Sequence, residues 1–102
     1  MSTLHTVNKS PFSTQSLLSC INHAKDGDAI LMIEDGVYGA AAGTGVASVV
    51  AEKAGAIKFY VLAPDLAARG IDTSRLLDGV EAVDYAGFVT LAAEHDRAQA
   101  WL

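Results

Sequence analysis

The chain has 102 residues, one domain's worth spanning 1–102, and is too short for a two-domain enzyme. Apolar residues make up 51% and charged residues 19%, a balance that excludes a disordered or low-complexity chain. Twelve acidic residues against seven basic ones give a formal charge of -5, the wrong sign for gripping a phosphate backbone, so direct nucleic-acid binding is not expected.

The expected elements alternate short β-branched runs with helical stretches, the pattern of βαβ units. Thr3 to Val7 reads as a first strand. A turn-rich stretch with Pro11 follows, and then a helix capped by Ser10, Ser13 or Thr14, with Leu17, Leu18, Ile21 and Ala24 on one face. That helix should end near the turn pair Asp26-Gly27. Ala29 to Ile33 lacks polar alternation and reads as a central strand buried on both faces. Beyond Glu34-Asp35-Gly36, the small-residue segment Val37 to Val50 is expected to leave apolar surface exposed and to favour an oligomer. A helix is expected over Val46 to Ala54, a strand over Ile57 to Leu62, and a helical turn over Asp65 to Arg69 stopped by Gly70. Val80 to Val83 gives a fourth strand, Gly87 to Glu94 a helix, and Ala98 to Leu102 a last short strand. The resulting fold class is α/β, a three-layer α/β/α sandwich on a mostly parallel five-stranded sheet, with the strand order open.

No apolar run approaches the roughly 18 residues that a membrane-spanning helix needs. Residues 1–7 carry no basic lead of a secretion signal, so the chain reads as cytoplasmic. A single cysteine forms no intrachain disulfide, and three scattered histidines beside one thiol do not make a structural zinc site.

Cys20 is the one soft nucleophile. On a helical wheel it sits beside Leu17 and Ala24 at the edge of the apolar arc, with His23 one step toward the polar side. Two readings follow from that place: a small buried hydrophobe, or a reactive thiol assisted by a protonated His23. Gly43-Thr44-Gly45 is a poor dinucleotide loop, because Ser48 holds the third glycine position and the preceding strand is about nine residues away. Glu34-Asp35-Gly36 puts two carboxylates at the carboxyl end of a strand, where they suit a metal or acid-base work. The plainer reading is an exposed acidic turn in which the glycine supplies a positive φ. His5 reads as an imidazole hydrogen-bonded at the sheet end, and His23 and His95 as solvated helix residues. Trp101-Leu102 is expected to pack on the chain's own core or on a partner.

A set of ordered fragments resembles the DsrH/TusB family from end to end. They are Leu4-His5-Thr6-Val7, Ser10-Pro11, Gly27-Asp28, Ile33-Glu34-Asp35-Gly36-Val37, Asp65-Leu66, Ala68-Arg69-Gly70, Asp84-Tyr85, Phe88-Val89 and Ala100-Trp101-Leu102. The resemblance implies a DsrE-like fold and a cytoplasmic heterohexamer with DsrE-like and DsrF-like sister subunits. It further implies a relay of persulfide sulfur from a TusA-like donor to a DsrC-like (TusE-like) acceptor, and exchange between thiols of that kind needs no metal, nucleotide or flavin. Cys20 resembles the DsrH branch of sulfur-oxidising bacteria, and by that resemblance it is the candidate catalytic residue, a second persulfide site. The alternative is a non-catalytic structural subunit of a TusBCD-like complex in tRNA 2-thiouridine synthesis.

Overall fold

The computed structural model describes residues 2–12, 14–41 and 47–101. Its strands are β1 (Thr3–Val7), β2 (Ala29–Met32), β3 (Lys58–Leu62), β4 (Val80–Val83) and β5 (Arg97–Trp101). The α-helices are α1 (Ser16–His23), α2 (Ala47–Lys53), α3 (Ala63–Ala68) and α4 (Tyr85–Glu94), and two 3-10 helices run over Glu34–Ala40 and Thr73–Arg75. The strands form one sheet in the order β4-β3-β2-β1-β5, and every pairing in it is parallel. The expected α/β class and five strands therefore stand, with the order now set.

Side chains alternate across the strands and divide the interior in two. On one face Val7, Ile30, Met32, Phe59 and Val61 pack against Leu17, Cys20 and Ile21 of α1, Val37 and Ala40 of the first 3-10 helix, Val50 of α2 and Leu66 of α3. On the other face Leu4, Ala29 and Leu31 meet Leu91 of α4, flanked by Phe88, Tyr60 and Val83. β2 is buried on both faces along its whole length, as a central parallel strand must be.

Helix α1 begins later than Ser10 or Pro11 would place it. Ser10 is used instead in the turn, where its hydroxyl accepts from the Phe12 N–H at 3.1 Å. Thr14 Oγ1 accepts from the Ser16 N–H at 3.3 Å, and α1 itself has no side-chain cap on Gln15. The chain turns after α1 through Gly27, whose φ of +90° favours glycine.

Two expectations about residues 34–50 are corrected. The positive φ after β2 belongs to Glu34, at +50°, and not to Gly36. Gly36 is needed for a different reason: a Cβ there would lie 2.1 Å from the Val7 carbonyl oxygen, so the 3-10 helix can cross the end of β1 only without a side chain. The apolar side chains beyond it are also largely covered among the described residues, although Ser48 faces solvent. Val37, Ala40 and Val50 are fully buried, so their small volume serves close packing of helix on sheet. Among the described residues, the large apolar side chains that do face solvent are Phe12, Tyr85 and Val89. Gly43-Thr44-Gly45 lies outside the described residues. No helix among the described residues is long and apolar enough to cross a membrane.

Candidate functional site

The polar side chains that the fold buries converge at the amino ends of β1, β2 and β5. His5 is on β1, and strand alternation points it to the α1 side of the sheet, between Ile30 of β2 and Gln99 of β5. Asp28 is the last residue before β2. Its carboxylate accepts three hydrogen bonds: the Thr3 N–H on Oδ1 at 3.0 Å, the Lys25 N–H on Oδ2 at 3.0 Å, and His5 Nε2, also 3.0 Å from Oδ2. Trp101 Nε1 donates to His5 Nδ1 at 3.0 Å. An indole nitrogen can only donate, so Nδ1 must be the bare acceptor. The imidazole proton is therefore on Nε2, directed at Asp28, and the chain of bonds runs Trp101 to His5 to Asp28.

Both inner members are buried, His5 at 1% and Asp28 at 5% exposure. Burial alone would push the Asp28 carboxyl up, but the N–H donors of Lys25 and Thr3 and the His5 ring outweigh it and hold the group below its ordinary value. The His23 ring, at the end of α1, lies 5.6 Å from Trp101 and 6.2 Å from His5, edge-on to both. Outside this group is a cavity of about 580 Å³, bordered by Lys25, His23, Arg97 and Gln99 above a floor of Thr3, His5 and Asp28.

Cys20 does not open onto solvent. It faces inward from α1, has no exposed surface, and belongs to the larger core cluster. Burial, and secondarily the charge of Asp28, push its thiol up to about 12. At neutral pH that leaves roughly one thiolate per 100,000 molecules in the folded state. The His23 ring lies edge-on to Trp101 and His5, and the influences on the Cys20 thiol are its burial and Asp28.

Glu34, through its main chain, and Asp35, through its carboxylate, are used in fastening. The Glu34 N–H donates to Asp65 Oδ2 at 2.7 Å, and Arg69 Nε donates to Asp35 Oδ1 at 2.9 Å. Together these tie the end of β2 to α3. Among the described residues no group of three or more His, Cys, Asp or Glu side chains could hold a metal ion. His95 is not simply solvated, since its Nδ1 lies 2.7 Å from the Leu91 carbonyl oxygen and closes the end of α4.

Spacing alone did not reveal the Trp101, His5, Asp28 group, because its members are 23 and 96 positions apart. A signal was nevertheless present. Three of the fragments that carry the family resemblance contain His5, Asp28 and Trp101, and two others contain Glu34-Asp35 and Arg69. The fold joins each set into one contact group.

The sequence model described as DsrH like protein matches residues 9–98. The protein TusB of Pectobacterium parmentieri is 37% identical over 98 residues, covering 96% of this chain and 99% of the relative. The chain belongs to the DsrH/TusB family. A second relative, protein TusB of Escherichia coli O81 (strain ED1a), is 34% identical over the same share of both chains. Among solved structures, the ychN protein of E. coli superposes with a TM-score of 0.81 at 15% identity, covering 98% of this chain and 99% of that one. MTH1491 of Methanobacterium thermoautotrophicum superposes with a TM-score of 0.70 at 19% identity, over 91% and 90%. At such low identity these two establish that the DsrH/TusB chain shares their fold and nothing further.

Proposed function

We propose that this chain is a non-catalytic subunit of a TusBCD-like sulfur-relay complex serving tRNA 2-thiouridine synthesis in the cytoplasm. In this reading DsrE-like and DsrF-like sister chains assemble with it, and sulfur passes from a TusA-like donor to a TusE-like acceptor. Family membership, with TusB relatives matched over nearly their whole length, supports the setting. The observation that carries the subunit's own part is the complete burial of Cys20.

Persulfide transfer is an exchange: a thiolate attacks the outer sulfur of a persulfide, a new S–S bond forms as the old one breaks, and the donor leaves as a thiolate with no net oxidation. The attacking group must be ionised and reachable. Cys20 at rest is neither, so the relay thiol belongs to a sister chain, and this chain supplies surface and shape. The competing reading makes Cys20 a persulfide carrier in a DsrEFH-like complex of sulfur oxidation, which would require α1 to lift from the sheet.

One experiment separates the two readings. The assembled complex is incubated with a sulfur donor and its subunits are weighed intact, with wild-type chain and with Cys20→Ala. The expected result is a sulfur adduct on a sister subunit, none on this chain, and transfer unchanged by the substitution. A one-sulfur mass gain on this chain, removed by Cys20→Ala together with transfer, would establish the competing reading.

A further inference from the structure

We infer that His5 is a proton-operated latch on the carboxyl-terminal strand: neutral His5 holds Trp101, and protonated His5 releases it while keeping Asp28. Neutral His5 has one donor and one acceptor, and the structure uses both, Nε2–H toward Asp28 and Nδ1 as acceptor for the indole. When a proton from solvent binds, it can only go to Nδ1, and the ring then carries two donors. The Nε2–H bond to Asp28 survives and becomes an ion pair, whereas Nδ1–H and the indole N–H confront each other with no acceptor between them. Attraction to Asp28 therefore favours the state in which Trp101 has lost its partner.

The position of Trp101 makes this loss matter. β5 is an edge strand whose residues Arg97 to Ala100 are exposed, and Trp101 is its one half-buried side chain. The strand is held by pairing with β1 and, at its far end, by the indole packed against the core and bonded to His5. Freeing the indole removes the side-chain anchor at that end and leaves Arg97 Nε donating to Thr3 Oγ1 at the other, and β5 forms one border of the 580 Å³ cavity through Arg97, Ala98 and Gln99. The charged and titratable groups around His5 are Asp28 before β2, His23 and Cys20 on α1, Lys25 after α1, and Arg97 on β5. Asp28 is the nearest and opposite in sign to the imidazolium. Lys25 and Arg97 line the same cavity as His5, and the His23 ring lies 5.6 Å from the indole, which is why its removal is part of the test.

Trp101 is the only tryptophan, so the full chain labelled with nitrogen-15 gives one indole N–H resonance. It is followed together with the His5 ring nitrogens from about pH 8 to about pH 5.5, the range in which imidazole is the side chain that changes charge. At the upper end Nε2 of His5 should carry the proton and the indole N–H should be protected. As His5 protonates, the indole resonance should move with it, and its protection from solvent exchange should fall about tenfold, the worth of one hydrogen bond. The His23→Gln variant should keep this joint titration. An indole resonance that stays fixed while His5 protonates, a His5 that does not titrate in the range, or a titration abolished by His23→Gln would each overturn the latch.

Discussion

The behaviour of Cys20 follows from the three residues around which α1 turns its inner face. Leu17, Cys20 and Ile21 are all buried, so the thiol has exchanged water for hydrocarbon and its ionised form is disfavoured. Reaction with a thiol reagent at pH 8 should therefore be slower by roughly a thousandfold in the native chain than in denaturant, following the thiolate fraction. A stopped-flow assay with a coloured disulfide reagent checks this. Cys20→Ser should cost roughly 1–3 kcal/mol in urea denaturation, because a hydroxyl in that pocket has desolvation to bear.

Asp28 has the opposite sign of dependence on pH. Its folded-state value lies below the ordinary carboxyl value, so the stability it contributes is present above that ordinary value and is lost as pH falls toward the folded one. Replacement by Asn keeps the shape but turns a donor either toward the Thr3 N–H or toward the Lys25 N–H and His5. We expect a loss of about 3 kcal/mol at neutral pH and a flatter acid limb, measured by urea denaturation from pH 7 down to about pH 3.

For the elements, the decisive contact is between the first 3-10 helix and the end of β1. Gly36→Ala would set a methyl against the Val7 carbonyl, which is main chain and cannot turn aside, so a cost of about 3 kcal/mol or more is expected. Gly55 is the control. Nothing lies within 4 Å of a Cβ built there and its φ is not positive, so Gly55→Ala should be neutral or stabilising by about 0.5 kcal/mol. Thermal melts of the two variants, followed by circular dichroism, make the comparison. The same segment shows how a local signal was misassigned. A glycine after two acids suggested a left-handed turn residue, whereas the tie of the Glu34 N–H to Asp65 and the crossing over β1 put the positive φ on Glu34 and reserved Gly36 for clearance.

The whole molecule is unevenly covered. One face of the sheet carries α1, α2, α3 and the first 3-10 helix, and the other carries α4, which leaves Tyr85 60% and Val89 69% exposed. At the edge, β5 contributes little side-chain burial but completes the pairing of β1 over five register positions and brings Trp101 to His5. Deleting residues 97–102 should thus expose the edge of β1 and leave His5 with an empty acceptor, and we expect a chain that melts at least 10 °C lower, roughly 2 kcal/mol for a domain of this length. Differential scanning calorimetry of the truncated chain tests it.

Much of this protein was readable from the order of its residues. Short apolar, β-branched runs separated by helical stretches are a local property, so the class, the five strands and the α-helix positions emerged from them, with most ends displaced by one to three residues and the start of α1 by up to five, where capping competed with turn formation at Ser10 and Thr14. The family resemblance was also a linear signal, carried by ordered fragments. What needed the tertiary structure was every question about which distant residues share a volume. Whether Cys20 at the edge of an apolar arc is covered, whether the small residues after Gly36 face solvent or sheet, and which partner each nitrogen of His5 finds all depend on neighbours brought by strand order. Burial and hydrogen bonding are set by packing across the sheet, and no periodicity along one segment encodes what lies opposite it.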